Sequence, residues 1–222
     1  MRKRFLLGVS IAILVVLTTN YARAQNNSAV DVKKFEAGGD FSTITFDSEQ
    51  TQLGLGGRLT YNFNKHLAFE AAGYYFPNNC VFCGRNAGRT SEGLFGVKIG
   101  QRFQKWGLFG KVRPGVLSSS KGRSDIVLNV PPGSPPGLNP LSLVQTRATY
   151  FALDVGAVVE FYPTKRIITR LDFGGTGIRY GEHSTHIPVF DPVTGTFSLT
   201  TTTVPAQNKA QLQIMAGLGF RF

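Results

Sequence analysis

The chain has 222 residues, a length that suits one domain. Its formal net charge of +11 at pH 7 would suit a cytosolic nucleic-acid-binding protein, but the basic residues form no single stripe and the N-terminus predicts export, so we expect no nucleic-acid partner. No segment beyond Gln25 contains 18 consecutive apolar residues, which argues against a helical membrane span.

The N-terminus has the three regions of a secretory signal peptide. Residues 2–4 are basic, residues 5–17 form an apolar run, and Ala22-Arg23-Ala24 supplies a small-x-small cleavage site. The apolar run is too short for a spanning helix, which needs about 20 residues. We therefore predict Sec-dependent export and cleavage between Ala24 and Gln25. Removal of residues 1–24 would leave 20 basic residues against 13 acidic ones, a net charge of +7.

Beyond residue 32, segments of about ten residues alternate between apolar and polar or small side chains. A period of two is the signature of β-strands with two different faces. In the clearest segment, Leu53, Leu55 and Leu59 alternate with Gln52 and Arg58. The eight predicted strands are residues 35–43, 51–63, 67–75, 95–103, 108–116, 150–161, 169–174 and 211–222. Pro114 weakens the fifth strand or marks a β-bulge in it.

The predicted connections alternate in length. Three are tight turns, at Asn64-Lys65, Gln104-Lys105 and Pro163-Thr164, and four are longer loops, at 44–50, 77–90, 118–145 and 181–209. Bacterial outer-membrane barrels have short periplasmic turns and long external loops. The prolines and glycines of residues 131–137 predict a surface loop, whereas Thr200–Thr203 predicts a hairpin that turns at residues 191–195.

The charged residues of these strands fall on the face opposite to the apolar one. In a membrane barrel the apolar face points to lipid and the polar face lines the lumen. An eight-stranded lumen is only wide enough for side chains, so we expect a packed, mutually paired polar interior; a narrow ion path is the alternative. The predicted interior network consists of Glu36, Asp40, Arg58, Glu70, Lys98, Arg102, Lys111, Arg113, Asp154, Glu160, Arg170, Asp172 and Arg221.

Cys80 and Cys83 are close enough in sequence to form a disulfide after export; free thiols are the alternative. Two cysteines are too few for a structural zinc site, and His183 and His186 lack a third ligand. We therefore expect no metal and no cofactor. Aromatic residues at the ends of the strands predict a periplasmic interface girdle formed by Tyr61, Phe63, Phe103, Trp106, Phe161 and Tyr162.

Leu218, Phe220 and Phe222 alternate along the last strand, and the final residue is aromatic. This run resembles the C-terminal signature of outer-membrane β-barrels, which the barrel-assembly machinery recognises. Residues 33–222 are similar to the transmembrane domain of outer-membrane protein A, after a signal peptide at 1–24 and a short periplasmic segment at 25–32. The resemblance implies an all-β, closed, antiparallel, up-and-down eight-stranded transmembrane barrel in the outer membrane.

For function, we expect a monomeric, non-enzymatic surface protein that serves envelope integrity or adhesion. Its predicted partners are outer-membrane lipids and lipopolysaccharide, whose phosphates would meet Arg85, Arg89, Lys121, Arg123 and Arg147; solvation of these residues and pairing with nearby acids is the alternative. A small ion or solute channel is the first alternative. A lipid A-modifying hydrolase would need His183 or His186 beside Ser184, with an acid such as Glu182. A soluble barrel with an apolar ligand is disfavoured by the inward charges.

Overall fold

A computed structural model describes residues 32–46, 50–77, 88–128, 141–193 and 196–222. The predicted signal peptide with its Ala24–Gln25 site, Cys80 and Cys83, Arg85 and the loop at 131–137 lie outside the described residues. Within them, no helix is long and apolar enough to cross a membrane. The strands are β1 (Phe35–Phe46), β2 (Gln50–Asn62), β3 (Leu67–Phe76), β4 (Thr90–Arg102), β5 (Trp106–Leu128), β6 (Leu141–Phe161), β7 (Ile167–Tyr180), β8 (His183–Asp191), β9 (Thr196–Val204) and β10 (Gln207–Arg221).

Eight of these strands form a closed antiparallel barrel in the order β1-β10-β7-β6-β5-β4-β3-β2. The closing pair, β1 with β10, runs from Glu36 opposite Arg221 to Thr45 opposite Leu212. The predicted eight-stranded up-and-down barrel is confirmed. Closure matters because it pairs the backbone groups of the first and last strands, leaving the sheet without an open edge.

The two other strands, β8 and β9, pair only with each other and form a hairpin outside the barrel. The predicted hairpin in the 181–209 connection is confirmed. Asp191 pairs with Thr196 at its end, and the backbone N–H of Val193 donates to the Asp191 carboxylate at 2.9 Å, a local bond typical of turns.

The connections at one end of the barrel differ from those predicted. The expected long loop at 44–50 is wrong: β1 and β2 continue to Phe46 and Gln50, and the hydroxyls of Thr45 and Thr51 lie 3.0 Å apart across the pair. The 118–145 connection is also largely strand, because β5 and β6 stay paired up to Leu128 opposite Leu141. β-branched and alternating residues favour this continued pairing over a loop.

Pro114 creates no bulge. The register between β4 and β5 is the same on both sides of it, with Leu94 opposite Gly115 and Val97 opposite Val112. The register shift of β5 lies higher, between Ser119 and Arg123.

The barrel therefore has two different ends. The short-turn rim consists of residues 32–34, 63–66, 103–105, 162–166 and Phe222. The opposite, tall rim carries an outer platform, made of residues 120–128 and 141–147 of β5 and β6 together with the β8–β9 hairpin.

Candidate functional site

All thirteen charged residues of the predicted interior network have buried side chains in the lumen. Alternation places them there, because successive side chains of a strand point to opposite faces. Next to the short-turn rim, Arg102 binds the carboxylates of Glu36 at 3.0 Å and Glu160 at 3.4 Å, and Lys98 pairs with Glu160. Arg221 closes this lower cluster, with its Nε 3.5 Å from Glu36.

A second cluster fills the middle of the lumen. Glu70 accepts bonds from Arg113 at 2.5 Å and from Arg170 at 2.9 Å. Lys111 lies 3.0 Å from both Asp154 and Asp172. Arg113 also donates to Asp154 at 2.7 Å, so Glu70, Asp154 and Asp172 are each shared between two cations.

Arg58 and Asp40 form a separate buried pair. Gly217 makes room for it, since a Cβ atom there would lie 2.8 Å from the Arg58 guanidinium. A buried charge is tolerated when it is paired and hydrogen-bonded, and these three groups of ion pairs meet that condition.

Glu92 is a buried interior charge that the predicted network did not include. It accepts a bond from the Gln213 amide at 2.8 Å, and that amide also donates to Ser42 at 3.2 Å. With Glu92 included, the described interior holds seven acidic and seven basic side chains. The lumen is therefore formally neutral.

Towards the tall rim, apolar side chains replace the ion pairs and lie among uncharged polar residues and Glu92. Tyr74 and Phe76 of β3 lie beside inward glycines of β2; a Cβ atom on Gly54 would come within 2.5 Å of the Phe76 ring. Other strands complete this apolar cap, which consists of Ile44, Ala72, Tyr74, Phe76, Leu94, Leu117, Ala152, Ile178 and Met215. The alternation of residues along the sequence does not predict this cap.

The outer platform is joined by contacts between its two hairpins. Asp125 of β5 accepts the backbone N–H of His186 at 2.9 Å, and its two carboxylate oxygens each lie 3.0 Å from the His186 ring. These bonds, with the backbone one contributing most, hold the pKa of Asp125 below its usual value. The Thr185 hydroxyl donates to the Ser124 carbonyl at 3.4 Å.

The residues of the hydrolase alternative are not assembled. The His186 ring binds Asp125, and the His183 ring lies 3.3 Å from the Gly181 carbonyl. Ser184 is paired across the hairpin with Thr203, and within the described chain its hydroxyl makes no hydrogen bond to a histidine. The acid that contacts His186 is Asp125 of the other hairpin, and not the neighbouring Glu182.

The outward face of the barrel is apolar over the barrel strands. Leu53 is 72% exposed, Phe41 71% and Leu59 65%. Contact of so many large apolar side chains with water would be unfavourable. Close to the short-turn rim lies an aromatic belt, in which the rings of Phe35 and Tyr61 are 5.1 Å apart and those of Phe103 and Trp106 4.3 Å apart. A charged, filled interior within an apolar wall is the reverse of a soluble barrel and the pattern of a membrane barrel.

The chain has the fold of the small eight-stranded outer-membrane β-barrels.

Tyr162 departs from the predicted aromatic girdle: its ring is buried, and its hydroxyl donates to Glu160 at 2.7 Å and accepts from Arg102 at 3.0 Å.

No family model and no curated protein matches the chain. Among solved structures, it is similar to Ail, the attachment invasion locus protein of Yersinia pestis, with 13% identity, a TM-score of 0.45 and coverage of 85% of this chain and 96% of that one. It is also similar to Neisserial surface protein A, with 14% identity, a TM-score of 0.44 and coverage of 85% of this chain and 96% of that one. A third similar structure is the N-terminal β-barrel domain of Pseudomonas aeruginosa OprF, with 11% identity, a TM-score of 0.41 and coverage of 84% of this chain and 97% of that one.

In the barrel, Leu218 and Phe220 of β10 point outwards, and Phe222 follows at the short-turn rim. The rings of Phe220 and Phe222 stack 6.4 Å apart, and Phe222 also stacks on Phe35 of β1 at 6.1 Å. The three residues therefore lie on the lipid-facing side of the strand pair that closes the barrel.

Proposed function

We propose that this chain is a monomeric, non-enzymatic protein of the bacterial outer membrane, in which a sealed barrel supports an outer platform that contacts lipopolysaccharide and partners beyond it. The filled lumen carries the proposal, since buried ion pairs and an apolar cap occupy the described interior, and an eight-stranded lumen is only wide enough for side chains. Function is then left to the exposed surface. β5 has 23 residues, against roughly 9–11 needed to cross a bilayer, so about half of it is available above the membrane.

The tall rim has the charge needed for phosphate groups. Arg89, Arg123 and Arg147 are exposed there, and Lys121 lies beside Gly88. Guanidinium groups bind phosphates through charge-assisted hydrogen bonds, and lipopolysaccharide presents phosphates at this level of the outer leaflet. Outward Leu143 (64% exposed) and Phe190 (53% exposed) add an apolar surface higher on the platform, of the kind that favours protein contacts.

Two alternatives receive less support. A channel would require the fourteen interior charges to leave a path open, whereas all of them are buried. A hydrolase would require a histidine beside Ser184, whereas His186 binds Asp125.

Export and assembly complete the proposal. We propose that residues 1–24 direct Sec-dependent export and are removed after Ala24, that Cys80 and Cys83 then form a disulfide, and that Leu218, Phe220 and Phe222 are recognised by the barrel-assembly machinery. The outward position of the last three residues supports this role, because an exposed strand face is open to a binding partner.

The test compares binding of purified lipopolysaccharide, intact or dephosphorylated, to the folded mature protein in detergent. We expect intact lipopolysaccharide to bind better, and a tall-rim variant (Arg89→Gln, Lys121→Gln, Arg123→Gln, Arg147→Gln) to lose at least about tenfold in affinity, since each basic residue near an anionic surface contributes ~1 kcal/mol. A short-turn-rim variant with the same charge change (Lys65→Gln, Lys105→Gln, Lys165→Gln, Arg166→Gln) is the matched control. Equal affinity of the wild type for both lipopolysaccharides would refute the phosphate contact.

A further inference from the structure

The short-turn rim carries positive charge without acidic side chains. Lys34, Lys65, Lys105, Lys165 and Arg166 are all exposed there. Among the described residues of this rim, no Asp or Glu occurs, and none of the five forms an ion pair. The nearest acids, Glu36 and Glu160 at the strand ends, are buried in the lumen, where Arg102 binds both. This differs from the lumen a few residues away, where acidic and basic side chains are equal in number.

The backbone holds these basic residues in defined positions. In the first turn, the Asn64 carboxamide oxygen accepts the N–H groups of His66 and Leu67, at 2.7 and 2.9 Å. In the third turn, the Thr164 hydroxyl accepts those of Arg166 and Ile167, at 3.2 and 3.0 Å. Such side-chain bonds fix the two turns in which the exposed Lys65 and Lys165 lie.

Backbone hydrogen bonds also join each turn to the next strand. The carbonyls of Lys34, His66, Lys105 and Arg166 accept N–H groups from Asn62, Gly100, Tyr162 and Arg221, at distances of 2.7–2.9 Å. The pair Phe35–Phe222 completes the circle, with bonds of 3.1 and 2.9 Å. The basic residues therefore lie around a closed, hydrogen-bonded rim.

This rim continues directly from the lipid-facing aromatic belt. Lys105 precedes Trp106, which is 43% exposed and stacks on Phe103. Lys34 precedes Phe35, which packs on Tyr61. Aromatic rings of membrane barrels lie at the level of the lipid headgroups, so ammonium groups one residue further reach the phosphates.

We infer that the short-turn rim binds the headgroups of anionic phospholipids in the adjacent leaflet, and prefers them to zwitterionic ones. The charge of the rim and its continuity with the lipid-facing belt favour this partner over the acidic cell wall. The inference is separate from the proposed contacts of the outer platform. It assigns this end of the barrel to the inner, phospholipid leaflet of the outer membrane.

The chain contains its own probe, because Trp106 is its single tryptophan and lies at this rim. We would reconstitute the full mature protein in phosphatidylcholine vesicles that contain phosphatidylglycerol, with bromine on the acyl chains of one lipid or the other, and measure quenching of Trp106 fluorescence. We expect a relative binding constant of about five in favour of phosphatidylglycerol, the value of one basic contact of ~1 kcal/mol. High salt should lower this ratio towards one.

In the short-turn-rim variant the ratio should fall to near one, whereas the tall-rim variant, with the same loss of charge, should keep the wild-type ratio. Heat-modifiable migration on gels checks that both variants are folded; if the first does not fold, the salt dependence of the wild type decides. A wild-type ratio of one, a ratio kept in the short-turn-rim variant, or an equal loss in both variants would overturn the inference. If the wild-type ratio were one and the wild type, but not the short-turn-rim variant, sedimented with purified cell-wall sacculi, the partner of the rim would be the acidic cell wall and the inference would be overturned.

Discussion

Glu70 offers the sharpest test of the paired lumen. Its carboxylate is 1% exposed and binds Arg113, Arg170 and the Thr60 hydroxyl. Glu70→Gln keeps the shape and one acceptor oxygen but leaves the lumen with one uncompensated positive charge. Removing one partner of a buried ion pair costs roughly 3–5 kcal/mol, so we expect the free energy of unfolding to fall by about that amount. Reversible urea unfolding in detergent micelles measures it.

The matching experiment removes an opposite charge as well. Arg170→Met alone should cost a similar amount, but the double variant Glu70→Gln, Arg170→Met should lose at least ~2 kcal/mol less than the sum of the two, since the lumen is neutral again and Asp172 still has Lys111 at 3.0 Å. If Glu70→Gln costs under ~1 kcal/mol, water screens the site and the lumen is not packed as described.

Three further predictions concern the wall and the outer platform. Val155→Arg should cost ~2–4 kcal/mol of folding free energy in bilayers, whereas Val189→Arg, of similar exposure (45% and 47%) but on the β8–β9 hairpin, should be near neutral; equal effects would contradict the membrane placement. Gly54→Ala should cost ~1–3 kcal/mol by urea unfolding because of Phe76, and a neutral result would show that the cap is loosely packed. Asp125→Asn should release the β8–β9 hairpin to protease at neutral pH. In the wild type this contact, made by a carboxylate whose pKa is lowered, should be present at neutral pH and lost only as the pH falls below about 4; protection unchanged by the substitution would remove Asp125 from the contact.

The sequence predicts the barrel well because inward and outward residues differ in kind along most strands. Arg58 lies between Gly57 and Leu59, and a period of two assigns each to its face. Near the tall rim, inward and outward residues no longer differ in kind. Leu94 and Tyr74 point inwards while Phe95 and Tyr75 point outwards, so both faces are apolar and periodicity gives no sign of the apolar cap. Glu92 was missed for a related reason, because the fourth strand begins at Thr90 and not at Phe95.

Contacts on the outer platform depend on pairing over long distances in the sequence. Asp125 and His186 are 61 residues apart, and nothing near either residue indicates the other. Glu182 was the nearer acid, but the register of β8 against β9 and the length of β5 decide which carboxylate meets the histidine. Such tertiary contacts override local sequence patterns.

A planar-bilayer recording of the folded mature protein tests the sealed barrel most directly. Seven cations and six anions packed in ion pairs, together with an apolar cap at the level of Glu92, predict insertion with no steady current. A stable open conductance that appears with each inserted molecule would contradict the account.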